Sequence, residues 1–174
     1  MSVESLKELD DFFRSMRQAF NSRDLKTFRS HFWTDKRFQN LDASGRRDRG
    51  WGEFEEVLDQ EFRYLESVRL ELKDLDFQVF DDQFATVIGS WRLSQVDPEG
   101  RNHEQGGRCT FSLCRMSDDW KIVAQHYSPL SAEEAAAELG VPVRGWLPAP
   151  GIAAVPRHSR DRAPPVLGKR RAFG

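Results

Sequence analysis

The sequence predicts an α+β fold, helices first and sheet second, and three patterns carry that prediction. Apolar residues recur at steps of three and four in separate runs before Ser67. From Ser67 to Pro129 the period changes to two. The turns in that second part are short: Asp81-Asp82-Gln83, Asp97-Pro98-Glu99-Gly100 and Ser117-Asp118-Asp119. Strands joined that tightly follow one another as an antiparallel meander.

Taken in order, Leu6, Leu9, Phe13, Met16 and Phe20 form the stripe of an amphipathic helix over about residues 3–21. Asn21-Ser22-Arg23 breaks it, and Asp24 is placed to N-cap a second, shorter helix whose buried face is Leu25, Phe28 and Phe32. So tight a junction packs the two helices as a pair. Residues 37–44 read as a short strand with Phe38 and Leu41 its apolar members, and the polar run from Gly45 to Gly50 as a loop. Trp51, Phe54, Leu58, Phe62 and Leu65, at i, i+3, i+7, i+11 and i+14, mark a third helix.

In the sheet, Val68, Leu70 and Leu72 hold one parity and Leu75, Phe77 and Val79 the other, which places a β-bulge near Lys73-Asp74. Ala85, Val87, Gly89, Trp91 and Leu93 line one face of the next strand. In residues 101–115, Cys109, Phe111 and Leu113 share one face, and Arg108, Thr110 and Ser112 the other. The last strand, closed by Pro129, puts Trp120, Ile122, Ala124, His126 and Ser128 on one face, with Lys121, Val123, Gln125 and Tyr127 opposite. Both faces are partly apolar, so both meet something. Ser131-Ala132-Glu133-Glu134 is a capping signature for a final short helix through Leu139, stopped by Gly140 and Pro142.

Composition bounds the function. A chain of 174 residues, 39% hydrophobic, builds one core with residues left over for a tail. No run of about 18 apolar residues implies a membrane span. The N-terminus, Met1 to Glu8, lacks the basic-then-apolar layout of a secretory signal, so a cytoplasmic protein is expected. Cys109 and Cys114, five apart in one strand, point to opposite faces and read as reduced thiols. The four histidines are scattered, and there is no Gly-rich phosphate loop or nucleophile elbow; neither a metal nor a cofactor is expected. The net charge of −2 hides a division. Residues 141–174 carry seven basic side chains against Asp161, or +6, which leaves 19 basic and 27 acidic groups, or −8, on residues 1–140. Residues 1–140 are read as the domain. Residues 141–174, with six of the eight prolines, are read as an extended or disordered basic tail. That tail is either solvated or docks on an acidic protein, a nucleic acid or an anionic surface; elsewhere no nucleic-acid contact is expected.

Ala19-Phe20-Asn21-Ser22-Arg23-Asp24-Leu25 at the helix junction, Phe38 to Gly45 after it, Gly89-Ser90-Trp91-Arg92-Leu93, and Trp120-Lys121-Ile122-Val123 with His126 and Ser128 appear in that order. Over about residues 5–130 the chain resembles the SnoaL-like branch of the nuclear transport factor 2-like superfamily. The resemblance implies a cystatin-like cone, in which a curved sheet wraps the helices and leaves a pocket at the open end. It also implies a homodimer through the sheet's outer face. The group holds isomerases, cyclases, dehydratases and epoxide hydrolases beside non-catalytic binding and assembly domains, so membership does not fix an activity.

By that resemblance Asp42 sits about where ketosteroid-isomerase-like members carry a carboxylate base; by its own sequence it is a turn Asp before Gly45. Those enzymes also carry a tyrosine on the first helix where this chain has Met16, which removes an oxyanion donor. His126 is the other catalytic candidate, as an acid or base or as a structural histidine at a sheet end. Tyr127, on the opposite parity, is the pocket residue if its face turns inward. Arg108 is either an anion-binding group or a solvent-facing one. Trp33 and Trp91 are core or pocket wall, His31 helix surface, and His103 and Glu104 solvated groups near a hairpin. The expected function is a small-molecule-binding module for a largely apolar ligand. A pocket enzyme using Asp42 and His126, or a dimeric assembly domain, is the alternative.

Overall fold

The computed structural model describes residues 3–139; the tail of residues 141–174 lies outside them. Helices α1 (Val3–Asn21) and α2 (Leu25–Arg29) precede a hairpin of β1 (Gln39–Leu41) and β2 (Arg47–Arg49), then α3 (Trp51–Tyr64). Four long strands follow: β3 (Ser67–Phe80), β4 (Phe84–Val96), β5 (Asn102–Met116) and β6 (Asp119–Pro129), with α4 (Ala132–Leu139) last. The curved sheet has the order β2-β1-β6-β5-β4-β3. β1 runs parallel to β6, and every other pairing is antiparallel.

The expected stripe of α1 is the buried one: Leu9, Phe13, Met16 and Phe20 are 7% exposed or less. Phe13 sets its ring 5.0 Å from Phe111 of β5 and 6.0 Å from Phe77 of β3, which seats the helix on one sheet face. Fully burying an aromatic such as Phe111 contributes roughly 3 kcal/mol. A second cluster joins the short elements, where Phe32 lies 4.7 Å from Phe28, 5.1 Å from Trp51 and 5.7 Å from Phe38.

The Asn-Ser-Arg-Asp break between α1 and α2 has specific work. Asn21 accepts from the Leu70 N–H and donates to its C=O, at 2.6 and 3.1 Å, giving the edge strand β3 the pair of bonds a neighbouring strand would make. Arg23, in the left-handed region at φ 57°, donates to the last-turn carbonyls of α3, Phe62 and Leu65. Asp24 caps α2 by accepting from the Thr27 N–H. Ser131 and Glu134 close a reciprocal capping box on α4.

The bulge expected near Lys73-Asp74 is present, with the β3–β4 register shifting between Lys73 and Asp76. Gly89 makes room for it, because a Cβ there would stand 2.9 Å from the Lys73 carbonyl oxygen and 2.6 Å from the Leu75 side chain. Gly50 is needed as well: it enters α3 at φ 89°, and a Cβ would lie 2.8 Å from the Lys36 carbonyl oxygen.

Four expectations are corrected. Residues Arg47–Arg49, read as loop, form β2, which pairs with a β1 shorter than residues 37–44. α2 ends at Arg29, so Phe32 is buried from the segment beyond the helix. His31 is buried rather than on a helix surface, with Nδ1 2.9 Å from the Thr27 carbonyl, Nε2 3.1 Å from Ser15 Oγ, and Phe12 against its ring. Burial pushes the pKa of His31 below its ordinary value. The last correction decides the site. The β5–β6 register shifts at Ser112/Leu113, where Ser112 faces Ala124 but Leu113 faces Ile122, so Val123 is an extra residue. The parity of β6 therefore flips at Val123. Trp120 and Ile122 share the inner face with Gln125 and Tyr127, while Ala124, His126 and Ser128 turn outward.

Candidate functional site

Pairing register builds the polar end of a cavity. Asn40 of β1 lies opposite Asp48 of β2 and beside Gln125 of β6. Their side chains form a chain of bonds: Gln125 Nε2 donates to Asn40 Oδ1 at 2.9 Å, and Asn40 Nδ2 to Asp48 Oδ2 at 2.7 Å. Arg46 Nη2 donates to the same Asp48 oxygen at 3.0 Å, and Arg46 Nε stands 3.4 Å from Asp42 Oδ2. Asn40, Asp42, Asp48 and Gln125 are all buried.

Asp42 is a turn residue and a cavity residue at once. Its Oδ1 accepts from the Ser44 N–H, the Ser44 hydroxyl and the Arg46 N–H at 2.6–2.9 Å, which shapes the β1–β2 turn. Its other oxygen, Oδ2, faces Arg46 Nε at 3.4 Å.

The cavity, about 60 Å³, lies between the helices and the inner sheet face. Phe20, Phe28, Phe54, Leu58, Leu70 and Trp91 make its apolar wall. Asp42, Arg46, Asn40, Gln125, Gln105 and Tyr127 make its polar side, together with Glu61. Such a space holds a few water molecules or one compact group.

Glu61 on α3 is the residue that sequence reasoning missed. It is 6% exposed, and its Oε1 is buried with no hydrogen-bond partner among the described residues. Burial pushes its carboxyl up to about 9; Arg46 opposes that shift, and Asp42 and Asp48 add to it. At neutral pH Glu61 is therefore an uncharged acid, able to donate a hydrogen bond. Its signal was present: Glu61 is three residues after Leu58 and seven after Phe54, inside the apolar stripe of α3. Tyr127 is the other uncharged donor, its ring edge-on to Trp91 at 5.6 Å and to Phe111 at 5.7 Å. Burial holds its phenol well above the ordinary range.

Of the residues singled out in the sequence, Asp42, Trp91 and Tyr127 line this cavity. Trp91 is fixed by its indole N–H, which reaches the Arg108 and Ser128 carbonyls at 3.1 and 3.3 Å. The other three do not line it. His126 is exposed on the outer face, opposite Thr110, so an Asp42–His126 acid–base pair is not assembled; the extra residue at Val123 is the reason. Arg108 is exposed on that same face, between Ser90 and Ser128. Trp33 is half-buried beneath the Arg37 guanidinium, 4.6 Å from its ring centre. Cys109 is buried and Cys114 half-buried, both as free thiols. His103 is exposed but bonds Asp97, and Glu104 pairs with Arg92. No cluster of His, Cys, Asp or Glu among the described residues has the arrangement of a metal site, and no described helix is long and apolar enough to cross a membrane.

A family model described as SnoaL-like domain matches residues 9–132. Solved structures share the fold. A nuclear transport factor 2-like superfamily protein from Salmonella enterica aligns with TM-score 0.67 at 17% identity, over 74% of this chain and 92% of that one. A protein with a cystatin-like fold from Caulobacter vibrioides gives 0.63 at 16%, over 78% and 96%. A candidate dehydratase from Streptomyces avermitilis gives 0.65 at 16%, over 73% and 97%. At such identities the likeness establishes fold alone. No curated protein sequence matches the chain.

Proposed function

We propose, for a chain that belongs to the SnoaL-like family, that its cavity binds a small, largely apolar molecule with one polar group directed at Glu61. One observation carries this reading: the cavity has an apolar wall on one side and, on the other, a buried acid whose Oε1 has no hydrogen-bond partner among the described residues. Buried polar groups are nearly always satisfied, so an unpartnered one at a cavity wall supports a ligand that completes it.

A second reading has its own support, because two carboxyl groups in different surroundings line the same cavity. Asp42 Oδ2 then takes a proton from a carbon beside a carbonyl, and Glu61 or Tyr127 donates to the oxygen where charge develops. One experiment addresses both. Cyclopentanone in D2O is expected to shift the NMR signals of Trp91, Tyr127 and α3, and the Val57→Phe variant, which fills the cavity, is expected to lose those shifts. Binding without deuterium uptake beside the carbonyl supports a binding module, and uptake that Asp42→Asn abolishes supports the enzyme. No shift at any cavity residue overturns both.

Pairing of two copies through the outer sheet face belongs to the same proposal. Ile88 is 47% exposed there, in a cross-strand row with Thr110 and His126. The expected result by light scattering is a dimer that Ile88→Lys converts to monomer; a wild-type monomer overturns it.

A further inference from the structure

We infer that the ligand is a small amine, held as its ammonium ion against the Glu61 carboxylate; this rests on the cavity reading above and names the ligand's polar group. The charges around Glu61 set the direction. From the β1–β2 hairpin, Asp42 and Asp48 face it with one guanidinium, Arg46, between them. From β6 comes Tyr127, an uncharged phenol, and from β5 the uncharged Gln105. α1 and α2 contribute the rings of Phe20 and Phe28. Arg23, at the C-terminal end of α3 that also carries Glu61, is committed to the Phe62 and Leu65 carbonyls. Two carboxylates against one guanidinium leave the polar end at −1 before Glu61 is counted.

A molecule entering this field is favoured if it brings positive charge. The rest of the cavity suits the same ion, because Phe20, Phe28, Phe54, Trp91 and Tyr127 line it and aromatic faces attract ammonium groups. In the free protein Glu61 keeps a proton because burial penalises its charge by more than Arg46 offsets. An ammonium group takes that proton's place.

The proton balance fixes the test. At pH 7 the amine arrives protonated and Glu61 is protonated too, so forming the ammonium–carboxylate pair releases one proton to solvent. Affinity then rises about tenfold per pH unit until Glu61 ionises unaided. A ketone or alcohol behaves differently: it accepts the Glu61 proton as a hydrogen bond and releases nothing; once Glu61 ionises the ketone weakens, while the alcohol can turn to donate its O–H and changes little.

Isobutylamine and isobutanol, equal in shape, are the probes, titrated into the full chain. NMR locates them, and calorimetry in two buffers of different ionisation heat counts protons. The expected result is shifts confined to cavity residues, one proton released, tighter amine binding at pH 8 than at pH 7, and a preference for the amine of tenfold or more. Glu61→Gln is expected to abolish the proton release and bring the amine down to the alcohol. Isobutanol binding as tightly as isobutylamine, or amine binding without proton release, overturns the amine and leaves the cavity reading standing. Neither probe moving a cavity resonance overturns both.

Discussion

Replacing Glu61 by Gln is expected to stabilise the protein at pH 7 by up to about 3.5 kcal/mol. Burial raises the Glu61 carboxyl from its ordinary 4.5 to about 9 in the folded chain. Between those values the folded state holds a proton that the unfolded state has released, so stability falls as pH rises. From 4.5 to pH 7 is two and a half units, at about 1.4 kcal/mol each. Below the ordinary value both states are protonated, and the residue's ionisation contributes nothing to the balance. Above about 9 the folded chain carries a bare buried charge, and the full cost is reached. Glutamine keeps the shape and the donor but never ionises. The melting temperature of the wild type is therefore expected to fall from pH 5 to pH 9, while that of the variant stays flatter, the two curves meeting on the acid side. Parallel curves across that range would sink the idea. A stabilising substitution at a cavity wall is also what a functional residue predicts, because such groups are kept at the expense of stability.

How much of this was legible in the sequence depends on the range of the forces involved. α1, α3 and the β3 bulge are local: periodicity and parity shift write them directly into residue order, and Asp24, Ser131 and Glu134 cap as their spacing predicts. β2 was missed because Arg47-Asp48-Arg49 has no apolar member; only pairing with β1 makes it a strand. The parity flip at Val123 was missed for a related reason. Trp120, Ile122, Val123, Gln125 and Tyr127 give no clean alternation, and the extra residue is defined only against β5. That one residue moved His126 out of the site and Tyr127 into it. Asp42 was legible both as a turn and as a candidate. Its partners Arg46, Asp48 and Asn40 were not, since they converge through hairpin register rather than a motif. Glu61 shows how a long-range property can still leave a local trace: that its Oε1 has no partner among the described residues is tertiary, but its place in an apolar stripe is sequence.

Replacing Arg46 by Met is expected to cost about 3–5 kcal/mol, the usual penalty for removing one partner of a buried ionic cluster. Asp42 and Asp48 are both nearly fully buried, and Arg46 spans them, 3.4 Å from one and 3.0 Å from the other. Asp48 keeps the Asn40 amide and Asp42 keeps its turn bonds, so local geometry survives. What is lost is the one positive charge between two carboxylates. Denaturant unfolding at pH 7 of the single variant and of Arg46→Met with Asp42→Asn and Asp48→Asn separates this from lost packing. If charge is the cause, the triple variant recovers most of the stability, because uncharged groups in those positions need no guanidinium. If the triple variant is no better than the single one, the Arg46 stem was holding the hairpin by contact, and the electrostatic account of the cluster fails with it. The same pair of proteins bears on the ligand. Without Arg46 the polar end becomes more negative, so isobutylamine is expected to bind the single variant more tightly than the wild type and the triple variant more weakly, an order that packing alone does not produce.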